Sequence, residues 1–170
     1  DVPVEHGQVI EGPEWSLEAL HTPGHAPDHL CFALSGRNIL FSGDQVMAWN
    51  TTLVAPPEGH MGDYVSSLQM LLTRREGMYL PGHGGRIDDP VRTVRAYLLH
   101  RRWREEQVLE AIRGGRGSVD AIVPVVYPTI DDKLTRAAAL SVQAHVEHLI
   151  ARGLITCDDG QTLSGSLSPA

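Results

Sequence analysis

Cysteine is almost missing from this chain, with only Cys31 and Cys157 in 170 residues. Two thiols so far apart build neither a disulfide framework nor a zinc finger, and a reducing, cytoplasmic compartment is the default expectation. Lysine is scarcer still: Lys133 stands alone among 14 basic residues, the rest being arginine. With 21 acidic residues the net charge is −7, so the average surface repels a polyanion. That balance gives no support to nonspecific nucleic-acid binding. No apolar run approaches the ~20 residues of a membrane helix, and no secretory h-region opens the chain. Internal repeats and low-complexity tracts are missing too. What remains is 42% hydrophobic and 21% charged, the composition of a globular chain with a real core. The first residue is Asp1 and the first methionine is Met47, so the sequence reads as a processed or truncated piece.

Residues 1–88 are rich in Gly and Pro, with short apolar runs between turns. Leu17–Leu20 reads as a strand after a Gly-Pro turn. Leu30–Leu34 and Asn38–Phe41 flank Ser35-Gly36-Arg37 as a hairpin. Tyr64–Thr73 has helical spacing, and Met78–Leu80 is a short strand running into Pro81-Gly82. Asp89 caps a long helix whose first residue is Pro90 and which stops at Gly114-Gly115. Helices around Val119–Val126 and Leu134–Arg152 follow, with a stop at Gly153. Leu154–Thr156 and Gln161–Leu163 then read as a hairpin, which completes the outline of a winged helix. The expected divisions are 1–88, a connecting helix over 89–116, a winged-helix-like domain over 117–163 and a flexible tail over 164–170.

Nine histidines are present, and their neighbours matter more than their number. In His21-Thr-Pro-Gly-His25-Ala-Pro-Asp28-His29, the Pro-Gly forces a sharp turn that projects His25. Pro27 makes the segment a poor helix, so His25 and His29 are not a helical metal pair. Phe41-Ser-Gly-Asp44 is a strand that ends at a glycine and then an acid. Leu80-Pro-Gly-His83-Gly-Gly85 repeats the pattern of strand, turn and histidine. Three strand ends thus deliver two imidazoles and one carboxylate, a donor set that suits zinc or a similar divalent ion. Pro-Gly turns hold such ligands rigidly before a metal arrives.

At these residues the chain resembles the metallo-β-lactamase superfamily. His25, Asp44 and His83 look like its later three ligand motifs, and the segments from His100 and from Ala138 are similar to the winged-helix extension of its lactamase-like endoribonuclease branch. The resemblance implies an α+β fold, namely the C-terminal half of an αββα sandwich followed by a small winged-helix-like domain. It implies two divalent ions, zinc first. His25 would bind one, His83 the other, and Asp44 would bridge both and orient a hydroxide that attacks an ester, thioester, amide or phosphodiester. His29 would support a ligand or touch substrate. The family's first motif, His-x-His-x-Asp-His, occurs nowhere in the chain. The ligand set is therefore incomplete, the chain alone is expected to be inactive, and an N-terminal half or partner chain must supply the rest. An uncovered half-sandwich would also favour homo-oligomers.

The other candidates have plainer readings. His6, His21, His60 and His100 are taken as solvated or structural, and His145 with His148 as helix neighbours. Asp28 is taken as a turn residue and Asp63 as a helix cap. Arg101, Arg102 and Arg104 are read as exposed and paired with Glu105, Glu106 and Glu110 along one helix. Trp49 and Trp103 are read as core or cleft wall. Two function classes compete with a small-molecule hydrolase: a lactamase-fold endoribonuclease, and a winged-helix module that binds nucleic acid or regulates without catalysis.

Overall fold

The computed structural model describes residues 3–158 and 165–170. Two compact units are present: Asp1–Thr52 with Gly62–Leu98, and Leu53–Met61 with Leu99–Ala170. The division falls inside one long helix rather than at residue 88.

The first unit is built on a five-stranded sheet in sequential order: β1 (Val9–Glu11), β2 (Ser16–His21), β3 (Leu30–Leu34), β4 (Ile39–Gly43) and β5 (Met78–Pro81). Neighbours are antiparallel except β4 and β5, which are parallel. A parallel pair needs a crossover, and it contains α1 (Met61–Leu71). The expected hairpin is there, with Gly36 and Asn38 both at positive φ in its turn. Cross-strand partners share a face, so Leu20 with Cys31, and Ala33 with Leu40 and Tyr79, form one buried layer. Tyr64, Leu68, Leu71 and Val94 are among the buried helical residues of the same unit. Burial pushes the Cys31 thiol up to about 12, so it is an inert core group. On the other face stand Leu17, Phe32, Leu34, Ile39, Phe41, Met78 and Leu80, half-buried to exposed.

Helix α2 (Pro90–Arg113) begins as the sequence predicts, with Asp89 Oδ1 accepting from Arg92 N–H at 3.0 Å. It ends in a Schellman motif: Arg116 N–H bonds to Ala111 O and Gly115 N–H to Ile112 O. Then come α3 (Val119–Val126), capped by Ser118, and α4 (Thr135–Ala151), closed by the same motif at Gly153. Val108 and Ile112, Ile122 and Val126, Val142 and Leu149, and Ile155 and Leu167 fill one apolar core.

Three expectations are corrected. The wing pairs β6 (Ile155–Cys157) with β7 (Leu167–Pro169), whereas Gln161–Leu163 lies outside the described residues. The expected flexible tail therefore contains a strand, anchored by the buried Leu167. Asp63 sits inside the first turn of α1 and is not its cap. Arg101 and Arg104 are buried rather than solvated. Arg104 donates to Val126 O at 2.7 Å and stacks on Tyr127, while Glu105 reaches across to His148 and Arg152 of α4. Glu110 pairs along the helix with Arg113.

Candidate metal centre

Strands β2, β4 and β5 run in the same direction, because β3 lies antiparallel between β2 and β4. Their carboxyl ends therefore open at one rim of the sheet, and each is followed by one of the three expected ligands. His25 follows β2, Asp44 follows β4 and His83 follows β5.

Two glycines make the approach possible. Gly24 has φ +134°, and a Cβ there would lie 2.3 Å from the Tyr64 backbone, so the Pro-Gly turn sits flush against α1. Ser67 holds it from the helix by donating to Pro23 O at 2.8 Å. Gly43 has φ +51°, and a Cβ would come within 2.7 Å of His29 Nε2. The β4 and β5 ends are tied by Gly82 N–H to Gly43 O at 2.8 Å.

The result is one carboxylate between two imidazoles. His25 Nε2 lies 3.6 Å from Asp44 Oδ2, and His83 Nε2 lies 3.6 Å from Asp44 Oδ1. His25 and Asp44 are each about a third exposed and His83 more than half, so all three remain open to a ligand. Imidazole nitrogen and carboxylate oxygen are the donors a divalent ion takes, and each carboxylate oxygen faces its own imidazole. Among the described residues no three such groups surround a single point. The donors fit two metal positions in kind and fall short in number.

His29 is not a third imidazole on this carboxylate. Its Nε2 accepts from the Asp44 backbone N–H at 3.0 Å, which places the ring proton on Nδ1, 2.8 Å from Thr22 Oγ1. Burial holds its pKa below the usual imidazole range, and the nearby His25 adds to this. Thr22 is fully buried and also lies 3.3 Å from Cys31 Sγ. Sequence reasoning missed Thr22, although its place directly before Pro-Gly was the available signal.

Three of the remaining histidines have partners of their own. His21 Nε2 bonds to Pro27 O, His6 Nδ1 accepts from His21 N–H, and His148 pairs with Glu105. Trp49 and Trp103 are not core: they are 74% and 49% exposed.

Residues 1–83 match the model of the metallo-beta-lactamase superfamily. The chain carries a domain of that superfamily. Residues 118–162 match the beta-lactamase associated winged helix domain, so the expected resemblance holds in both parts. The beta-lactamase-like protein 2 homolog of Drosophila melanogaster is 30% identical over 154 residues, which cover 89% of this chain and 51% of that protein. An atrochrysone carboxyl ACP thioesterase of Aspergillus chevalieri is 34% identical over 140 residues, covering 78% and 44%. A metallo-beta-lactamase family protein of Thermus thermophilus superposes with a TM-score of 0.85 at 23% identity, over 99% of this chain and 54% of that one. That likeness supports the α+β fold, the lactamase sandwich with its winged helix. The chain spans about half the length of the curated relatives it matches.

Proposed function

We propose that this metallo-beta-lactamase chain supplies part of a binuclear hydrolase centre acting on acyl compounds, with thioesters as the first class to test. The observation that carries the reading is the Asp44 carboxylate with one imidazole against each oxygen. The thioesterase among its relatives supports the choice of substrate.

His25 with Asp44 Oδ2 would hold one ion and His83 with Asp44 Oδ1 the other, and zinc suits these donors best. Bound there, the ions would supply Lewis-acid polarisation and a water acidic enough to react near neutral pH. The chain's own residues do the positioning. Asp44 orients the reacting water, and His29 fixes the Asp44 backbone by accepting its N–H. Thr22 keeps the His29 proton on Nδ1, so Nε2 stays an acceptor. The remaining ligands come from residues outside this chain, and the apolar sheet face around Phe32 and Phe41 is where their domain would pack. A cytoplasmic location belongs to the same proposal, consistent with two cysteines that form no disulfide; no helix among the described residues is long and apolar enough to cross a membrane.

The nucleic-acid readings have less support. Helix α4 buries Ala138, Val142, Val146 and Leu149 in the core, and its one arginine, Arg136, is joined by Arg152 at its C-cap. The test uses the protein with its ligand set completed. Thioester hydrolysis should be lost with a chelator and in Asp44→Ala, and the variant should bind fewer metal equivalents. Wild-type turnover in Asp44→Ala would overturn the assignment, and chelator-sensitive cleavage of RNA without acyl hydrolysis would favour the endoribonuclease.

A further inference from the structure

Trp49 is the most exposed of the large hydrophobic residues described, at 74%. A buried tryptophan removes roughly 150–250 Å² from water, so this position forgoes most of a large stabilisation. Its exposure does not come from a loose loop. The Tyr97 hydroxyl accepts from Met47 N–H at 3.2 Å and donates to Met47 O at 2.7 Å, with Asn50 O also against it. Ala48 N–H bonds to His83 O at 3.4 Å, and Ser42 Oγ donates to Val46 O at 2.8 Å. The segment on both sides of Trp49 is thus braced, and the indole is presented by rigid backbone.

What it faces is the metal centre. The indole and the His83 ring are 15° from parallel, with centroids 6.4 Å apart. The His83 Nε2 is the atom that looks at Asp44 Oδ1. A flat apolar surface, largely exposed to solvent, therefore stands beside one proposed ligand. Trp103, by contrast, has partners of its own in Arg104 and His100.

We infer that Trp49 is a wall of the substrate site and selects acyl groups that present a flat aromatic surface next to the scissile bond. This rests on the hydrolase reading above. Stacking on the indole would lower KM for such groups, while a small acyl group such as acetyl gains little from it.

The test compares 2-naphthoyl and acetyl thioesters of one thiol in the metal-loaded protein with its ligand set complete. In Trp49→Ala the ratio of kcat/KM for naphthoyl over acetyl should fall about ten-fold, carried by KM, and Trp49→Phe should restore much of it. Metal content should match wild type in both. An unchanged ratio, or a fall carried by kcat with loss of metal, would overturn the inference and make Trp49 a brace for His83. A second arm needs no turnover: calorimetric binding of 2-naphthoate, which should weaken by a similar factor in Trp49→Ala. If the wild type hydrolyses no thioester, the hydrolase reading fails and the binding arm alone decides Trp49; equal naphthoate affinity in both proteins would then sink it.

Discussion

His25, His83 and Asp44 stand on turns just past strand ends, a third to more than half exposed. His145, Arg101 and Arg104 stand on helices of the other unit and are buried. The residue types overlap, yet the outcomes are opposite. At the sheet rim the backbone leaves its ladder, so a side chain can point into open space while its neighbours are pinned. Along a helix the same side chains are committed to whichever face they occupy, and packing decides their solvation. Polar chemistry in the first unit gathers around one carboxylate, with an imidazole against each oxygen; in the second it is absorbed by the fold.

The contrast can be broken by cutting each set in turn. The largest effect belongs to Asp44→Ala, which should abolish turnover and reduce bound metal while the urea midpoint of the helical unit stays where it was. Next is His29→Leu, which leaves the Asp44 N–H without its acceptor and should weaken metal binding about 10- to 100-fold. His29→Gln, which keeps an acceptor near Nε2, should recover part of this, as read by metal titration. If His29→Leu binds metal like wild type, the ring only packs.

Arg104→Ala works in the other direction. It leaves Val126 O without its charged donor and should cost about 2 kcal/mol in urea unfolding, with metal affinity unchanged. The last prediction sharpens the comparison through pH. Burial, with Arg101, His148, Arg104 and His100 nearby, pushes His145 from 6.5 down to about 3. Between those values the unfolded chain takes up a proton that the folded one refuses, so stability falls as pH drops through that window. His145→Leu should flatten that slope. Glu105, held below its ordinary 4.5 against the cost of burial by His148 and Arg152, loses its contribution only below 4.5, so between 6.5 and 4.5 it adds nothing to the His145 limb. An acid limb unaltered in His145→Leu would show that another group carries it.

Much of this was legible because the signals are local. Pro-Gly before His25 and His83, and Ser-Gly before Asp44, announce strand ends in sequence, and Asp89-Pro90 and Gly153 mark helix ends by the same kind of short-range chemistry. The missed features depend on partners distant in sequence. Strand β1 has only three residues and no period to read. In β7, Leu167 lies among serines and a proline that suggest a tail, and only the core it enters makes it a strand. Charges three and four apart on α2 look the same whether α4 covers them or water does. Trp49 needed the positions of His83 and Tyr97 before its exposure meant anything.

The turn glycines have an evolutionary consequence. His25, Asp44 and His83 are a third to more than half exposed, so a lineage could drift out of metal chemistry by exchanging them one at a time. Gly24 and Gly43 permit no such drift, since any side chain at Gly24 would meet the backbone of Tyr64 and any at Gly43 the His29 ring. The frame of the site would therefore outlast its activity, and descendants that have lost the reaction would still carry the mould in which it was cast.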